Sequence, residues 1–335
     1  MATIRDVARL AGVSTATVSH VLNETRAVSE DLRERVRVAM DALNYRPNAV
    51  ARSLRVSETM TIGLIVPDVE IPFFARYARS IERVAAQAGY NVILCNSNWQ
   101  LSEELRYLDH LLARRVDGLI CISASMTATH VGPILRRNAP VIWLEESRPG
   151  DQFDSVVLDN SKGAYLATTH LIELGHTRIA CIVGPVISQL GLDRIDGYRK
   201  ALAKYGLVYD ERLQQSADYT AQGGYRATQA LLELDDRPTA VFSFNDLMAM
   251  GALKSITEHC LQIPNDVAVI GFDGIALTEH TCPPLSTIEQ PITEMSTRAI
   301  EMLIERINGT GPAQYRTIVV EPRLVVREST IGYSR

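Results

Sequence analysis

Long apolar runs are missing from this sequence. No stretch reaches the roughly 18 residues that a membrane helix requires, and charge appears at once, in Arg5 and Asp6. Neither an export signal nor a membrane span is expected, which places the chain in the cytoplasm. Cysteine is scarce as well. Cys95, Cys121, Cys181, Cys260 and Cys282 are odd in number, widely scattered and without a C-x-x-C pair, which argues against a zinc or dithiol redox site. The first three lie in apolar strand-like runs and read as buried thiols. A P-loop, a G-x-G-x-x-G turn, a G-x-S-x-G elbow and an H-E-x-x-H helix are also absent, so the common sequence signatures of an α/β enzyme are missing. Binding without turnover is expected, with no cofactor and no metal.

A strong excess of one charge is lacking too. Lys and Arg number 34 against 39 Asp and Glu, a net of -5, which excludes a globally basic nucleic-acid binder. Any contact with nucleic acid must be local, and the charge is indeed uneven. Residues 1 to 55 carry nine Arg and six acidic residues, net +3, leaving net -8 for the remainder. With 335 residues and 46% hydrophobic content, the chain is long enough for two or three domains of roughly 100 to 200 residues.

The basic end reads as short helices. Thr3 and Asp6 have capping-box spacing ahead of Val7, Ala8 and Leu10, and Gly12 stops that helix. Ser14 offers an N-cap for a helix over Thr15 to Asn23, and Ser29 offers one for a third helix, with Leu32, Val36, Met40 and Leu43 on one face. Helix, tight turn, helix is the arrangement that places a second helix in the DNA major groove. Thr15, Ala16 and His20 would lead its base-reading face, while Ser14, Thr17 and Ser19 suit phosphates. Pro47 disfavours a helical Arg46, after which Ala49 to Arg55 has room for only two turns.

From Thr61 the texture changes. Apolar runs at Ile62 to Val66, Val92 to Cys95, Leu119 to Ile122, Val141 to Leu144, Val156 to Leu158, Ile179 to Val183, Ala240 to Phe244 and Val267 to Gly271 alternate with helical patterns. Thr317 to Val320 and Leu324 to Val326 follow near the end. About ten strands are too many for one six-stranded sheet, so two parallel β/α lobes are expected.

The run Thr3-Ile4-Arg5-Asp6-Val7-Ala8 through Ser14-Thr15-Ala16-Thr17-Val18-Ser19-His20-Val21-Leu22-Asn23, followed by Tyr45-Arg46-Pro47-Asn48-Ala49-Val50-Ala51-Arg52-Ser53-Leu54, closely resembles the lactose-repressor (LacI/GalR) family of bacterial transcription regulators. Gly175-His176-Thr177-Arg178-Ile179, Arg194-Ile195-Asp196-Gly197-Tyr198, Asn245-Asp246 and Ile270-Gly271-Phe272-Asp273 carry the likeness over the rest of the chain. The pattern is nearest to ribose- and purine-repressor types. The resemblance implies an all-α helix-turn-helix head over 1-46 and a hinge helix with linker over 47-59. Residues 60-335 would then form a two-lobed effector-binding and dimerisation region of the periplasmic sugar-binding fold, with parallel sheets and three crossovers.

Further implications concern partners. Such a protein is a regulator, read here as a repressor, binding a near-palindromic operator in double-stranded DNA as a homodimer. Without a heptad tail after the last strand, a dimer and not a tetramer is expected. The resemblance adds Thr3, Asn23, Asn48 and Ala51 to the DNA-facing set, with Leu54 as an apolar wedge in the minor groove and Arg52 and Arg55 on phosphates.

Around the interlobe cleft the likeness places Phe73, Phe74, Glu145, Arg194, Tyr219, Asn245, Asp273 and Gln290. Carboxylates accept from hydroxyls, a guanidinium donates in a fixed fork, and aromatic faces cover sugar C-H groups, so the expected effector is a sugar. Each residue also has a plainer reading: Phe73 and Phe74 as core, Arg194 as a solvated helix start, Asn245 as a turn and cap, Asp273 as a strand-end cap. Two departures bear on the ligand. Ile71 and Glu145-Glu146 replace residues usual in ribose-binding members, and Ser188 and Leu190 stand where the purine repressor group uses Arg and Thr. A nucleoside- or purine-responsive regulator is the alternative.

Overall fold

A computed structural model describes residues 2–23, 26–45, 59–123, 130, 139–145, 153–184 and 189–331. The chain divides into two compact units, Met1–Thr59 and Met60–Arg335.

In the first unit, α1 (Ile4–Ala11), α2 (Thr15–Asn23) and α3 (Glu30–Ala42) enclose a small core of Val7, Ala8, Ala11, Val18, Val36 and Ala39. The Thr3–Asp6 capping box forms as its spacing predicts, and Gly12 ends α1 in the left-handed conformation at φ +64. A Cβ on Gly12 would lie 2.8 Å from the Arg35 guanidinium, which donates to the Ala11 carbonyl at 2.8 Å. Arg35 thereby satisfies a carbonyl at the C-terminus of α1. Ser29 departs from expectation: it occupies the N-cap position of α3, but its side chain makes no capping bond. Glu30 and Asp31 in the first turn supply the favourable charge there instead. The hinge residues Asn48, Ala51, Arg52, Leu54 and Arg55 lie outside the described residues.

The second unit contains two six-stranded sheets. The first has β1 (Thr61–Val66), β2 (Asn91–Asn96), β3 (Gly118–Ile122), β4 (Val141–Leu144), β5 (Asp154–Leu158) and β11 (Thr317–Val320), ordered β11-β5-β4-β3-β1-β2 and wholly parallel. The second has β6 (Ile179–Val183), β7 (Gln214–Ser216), β8 (Ala240–Ser243), β9 (Ala268–Asp273), β10 (Ser286–Glu289) and β12 (Arg323–Val325), ordered β12-β10-β9-β8-β6-β7. Only β12 runs antiparallel within it. Because β5 leads to β6, β10 to β11 and β11 to β12, the chain crosses between sheets three times.

Among the described residues there are twelve strands, where ten were expected. Those missed, β7 (Gln-Gln-Ser) and β10 (Ser-Thr-Ile-Glu), carry too few apolar side chains to stand out, and are strands because their backbones pair with β6 and β9. Helices α4 (Pro72–Gln87), α5 (Leu101–Ala113), α6 (Asn160–Glu173), α7 (Gln189–Lys204), α8 (Ala221–Leu232), α9 (Asp246–Glu258) and α10 (Ile292–Ile307) alternate with the strands. The crossovers exchange partners: α6 follows a first-sheet strand yet packs on β8, β9, β10 and β12, whereas α10 follows a second-sheet strand and packs on β3, β4 and β5. One apolar cluster runs through both lobes from Ile62 to Val320, and a second, around Ile65, Leu108 and Trp143, belongs to the first sheet.

Candidate functional site

On the head, the sequence local to α2 sets a polar face. Ser14 Oγ accepts from the Thr17 backbone N–H at 3.0 Å and lies 2.9 Å from Thr17 Oγ1, so both hydroxyls engage in the N-cap. Thr15 and Ala16 are exposed at the start of the helix, while Thr17, Ser19 and His20 are half-buried. Thr3 is committed to its capping box, donating to Asp6 Oδ2 at 2.7 Å. The backbone of Asn23 closes α2, and its side chain lies outside what the structure describes.

In the larger unit, the candidate effector residues fall at the C-terminal ends of strands, where α/β sheets present their ligands. Phe73 and Phe74 follow β1, Glu145 follows β4, Arg194 follows β6, Tyr219 follows β7, Asn245 follows β8, Asp273 ends β9 and Gln290 follows β10. The topology brings an acid–base cluster together here. Arg194, 3% exposed, donates through Nε to Asn160 Oδ1 at 2.8 Å and through Nη1 to the Phe244 carbonyl. Its guanidinium lies 3.7 Å over the Phe272 ring, and Nη2 is 3.9 Å from Asp273 Oδ1. The guanidinium is therefore held rigid, contrary to the reading of a solvated helix start.

Asp273 Oδ1 accepts from Gln290 Nε2 at 2.9 Å. Burial pushes its carboxyl up to about 7, opposed by the Arg194 charge and the Gln290 hydrogen bond. Asp246, wholly buried beside it, is raised well above the usual carboxylate range, first by burial and then by Asp273. Thr287 Oγ1 at 2.6 Å and the Ile275 N–H at 2.8 Å donate to Asp246. Gln290 Oε1 is buried and has no hydrogen-bond partner among the described residues. An unsatisfied buried acceptor beside a carboxylate is a natural place for a ligand donor.

Glu145, at φ +74, accepts from the Tyr77 hydroxyl. Burial, followed by the Glu145 charge, drives the Tyr77 phenol well above its ordinary range. An aromatic chain lies alongside. Phe73 and Phe74 have ring centroids 5.2 Å apart, Phe74 meets Trp99 edge-on at 5.7 Å, and Trp99 lies nearly parallel to Tyr219 at 6.1 Å. Gly184 makes room for Tyr219: a Cβ there would come within 2.0 Å of the ring. Asn245 supports Tyr219, since its Nδ2 donates to the Tyr219 carbonyl at 3.0 Å while its Oδ1 caps α9 through the Met248 N–H at 2.8 Å. Asn245 is thus the turn-and-cap residue of the plainer reading, and it also positions an aromatic of the cleft. Phe73 and Phe74, at 6% and 7% exposed, belong to the core as well as to the aromatic chain.

Sequence reasoning missed Arg76, Tyr77, Trp99 and Asn160. Asn160 follows β5 as Arg194 follows β6, and strand-end position would have flagged it; Tyr77 lies one helical turn beyond Phe73. Arg76 and Trp99 carried no local signal, because their partners Gly274 and Tyr219 are far along the chain.

Residues 3–48 match the model for bacterial regulatory proteins of the lacI family, and residues 168–330 match a periplasmic binding protein-like domain. A relative named HTH-type transcriptional repressor PurR from Photorhabdus laumondii is 41% identical over 334 residues, covering 99% of this chain and 97% of that one. Among solved structures, a lac repressor dimer bound to operator and the anti-inducer ONPF superposes with a TM-score of 0.88 at 30% identity, covering 98% of this chain and 99% of that one. A transcriptional regulator CelR–cellobiose complex gives 0.74 at 32% identity, covering 98% and 100%. By the names of curated relatives, the nucleoside- or purine-responsive alternative is favoured over a sugar.

Proposed function

The chain belongs to the lacI family of bacterial regulatory proteins and is a DNA-binding transcriptional repressor controlled by a small effector; from that premise we propose that the effector is a hydroxyl-rich molecule, a sugar, held between the lobes. The observation that carries this is the sealed polar cluster of Arg194, Asp273 and Gln290, with the Gln290 Oε1 acceptor still unsatisfied. A carboxylate and an amide oxygen accept from adjacent hydroxyls, and Phe73, Phe74, Trp99 and Tyr219 supply faces for C–H groups. Each polar group matched to a hydroxyl discriminates against a deoxy analogue by about 1–3 kcal/mol. The ligand is bound and released unchanged.

The second reading, a nucleoside or purine, is favoured by the PurR names of the relatives and by the near-parallel Trp99–Tyr219 pair, whose faces suit a planar base. Against the free base stand Ser188 and Leu190, set beside the Arg and Thr of the purine repressor group. Calorimetry of the full chain against pentoses, hexoses, cellobiose, nucleosides, hypoxanthine and guanine separates the readings. Binding of a sugar is expected. Tight binding of hypoxanthine or guanine, with no response to any sugar or nucleoside, would overturn the proposal.

For the DNA-reading end, Thr15, Ala16 and His20 are assigned to base edges, Ser14, Thr17 and Ser19 to phosphates, and Leu54 to a minor-groove wedge, with a homodimer engaging two half-sites. Among the described residues no helix is long and apolar enough to cross a membrane, and the protein's proposed place of work is the cytoplasm.

A further inference from the structure

Among the described residues, Arg76 and Trp99 of the first lobe each meet a residue of the second lobe across the cleft. Arg76 on α4, which follows β1, donates from Nη1 to the carbonyl of Gly274, which follows β9. Trp99, beyond the edge strand β2 of the first sheet, lies nearly parallel to Tyr219, beyond the edge strand β7 of the second. Each contact pairs a strand-end segment of one sheet with a strand-end segment of the other. Phe74, two residues before Arg76, touches Trp99 edge-on and links the two through the first lobe.

The turn that Arg76 grips is held in an unusual form. Asp273 has φ +113 and Gly274 φ +68; the first is a conformation that a side-chain-bearing residue seldom adopts and that its surroundings must impose. From within the second lobe, Asp246 accepts from the Ile275 N–H at 2.8 Å, and Thr287 Oγ1 accepts from the Gly274 N–H at 3.3 Å. Those bonds fix the N–H side of the turn. The Gly274 carbonyl is taken by Arg76 from the opposite lobe.

We infer that Arg76 is a cross-lobe clasp and a positioning residue for Asp273: it holds the two lobes closed before any effector is bound and fixes the peptide next to the effector-site carboxylate. Lobe closure and Asp273 orientation are then one event, because separating the lobes frees the carbonyl of the turn that carries Asp273. A protein in which the closed arrangement is already favoured binds its ligand more tightly, since apparent affinity scales with the closed fraction. That consequence rests on the cleft being the effector site; the clasp itself does not, and it is tested without effector.

Trp99 supplies the readout. The chain has two tryptophans, of which Trp99 is 40% exposed and Trp143 is fully buried, so acrylamide quenching of the ligand-free full chain reports mainly on Trp99, with Trp99→Phe as the background. Arg76→Met keeps the apolar stem and loses the donor. It is expected to raise the Trp99 quenching constant by about 1.5-fold or more, as the face against Tyr219 opens. Arg76→Lys, which retains a donor on a long stem, is expected to stay near the wild-type value. A residue that merely packed α4 would lower the melting temperature without this pattern. Should Arg76→Met fail to fold, Arg76→Gln, whose amide is too short to bridge the cleft, carries the same expectation. Wild-type quenching in a folded variant lacking the donor, or equal quenching in the Met and Lys variants, would overturn the clasp.

Discussion

The head and the cleft are built on opposite scales of sequence. In the head the polar contacts that define α1 and α2 join residues three apart, Thr3 with Asp6 and Ser14 with Thr17. In the cleft, Arg76 reaches a carbonyl 198 residues away and the Tyr77 hydroxyl lies 3.1 Å from the sulfur of Met295, 218 residues away. The helix caps of the head can therefore be read from spacing, whereas the cluster of candidate effector residues comes together only once the sheets have assembled. The cores differ likewise: among the described residues, six buried apolar side chains hold the head, and a cluster spanning both lobes holds the larger unit. The head has little stability in reserve, while the cleft has rigid walls on which buried charge can be kept.

The largest separation of the two should follow from a buried charge in the head. Val36, fully buried, becomes an unpaired carboxylate in Val36→Asp, at a cost on the order of 4 kcal/mol or more. Operator binding is expected to vanish while the calorimetric unfolding of the larger unit stays unchanged. A shift in that second transition would show that the units do not unfold independently.

The converse change is Arg194→Ala, which strands Asp273 and the Asn160 amide oxygen in the interior. A buried acceptor left without its donor costs about 1–3 kcal/mol, and Arg194 serves both Asn160 and the Phe244 carbonyl, so the melting temperature of the larger unit should drop accordingly. The effector response is expected to disappear with operator binding retained. Arg194→Lys should fail to rescue, since an ammonium cannot serve Asn160, Phe244 and the Phe272 face together. Loss of operator affinity in either variant would break the comparison.

A smaller effect concerns pH. The folded Asp273 carboxyl titrates at about 7, above its ordinary 3.8, because burial favours the neutral form. Its contribution to stability is thus fully present below about 3.8 and is lost as pH rises through about 7. Melting of the larger unit should fall across that range, and Asp273→Asn, neutral at every pH, should flatten the slope. An unaltered slope in the asparagine variant would assign the titration to Asp246 instead.

Legibility follows the same division. The boundaries of α2, β4, β6 and β11 are those that periodicity predicts, because each is a run with a clear cap or an unbroken apolar stretch. β7 and β10 are polar and short, and only their neighbours make them strands. Arg194 and Asp273 were found through motifs and meet in space. Trp99 and Arg76 could not be found that way, since nothing near them in sequence marks a residue whose partner lies on the other sheet.

The smallest expected effect tests whether a residue with two readings serves one or both. Thr3 was assigned to the DNA-facing set, yet its hydroxyl donates to Asp6 Oδ2 at 2.7 Å, its own N–H donates to the same oxygen at 2.9 Å, and the Asp6 N–H donates to Thr3 Oγ1 at 3.4 Å. The cap hydrogen bonds hold the Asp6 carboxyl below its usual range, so the box is at its strongest at neutral pH. Thr3→Ala removes the hydroxyl and should cost the head about 1 kcal/mol, lowering its melting temperature and weakening operator binding only where that loss populates an unfolded head. Thr3→Ser restores the hydroxyl without the methyl group. If Thr3 acts as a cap alone, the serine variant recovers both melting temperature and operator affinity. Recovered melting with operator affinity still reduced would instead mean that the threonine methyl itself touches the DNA.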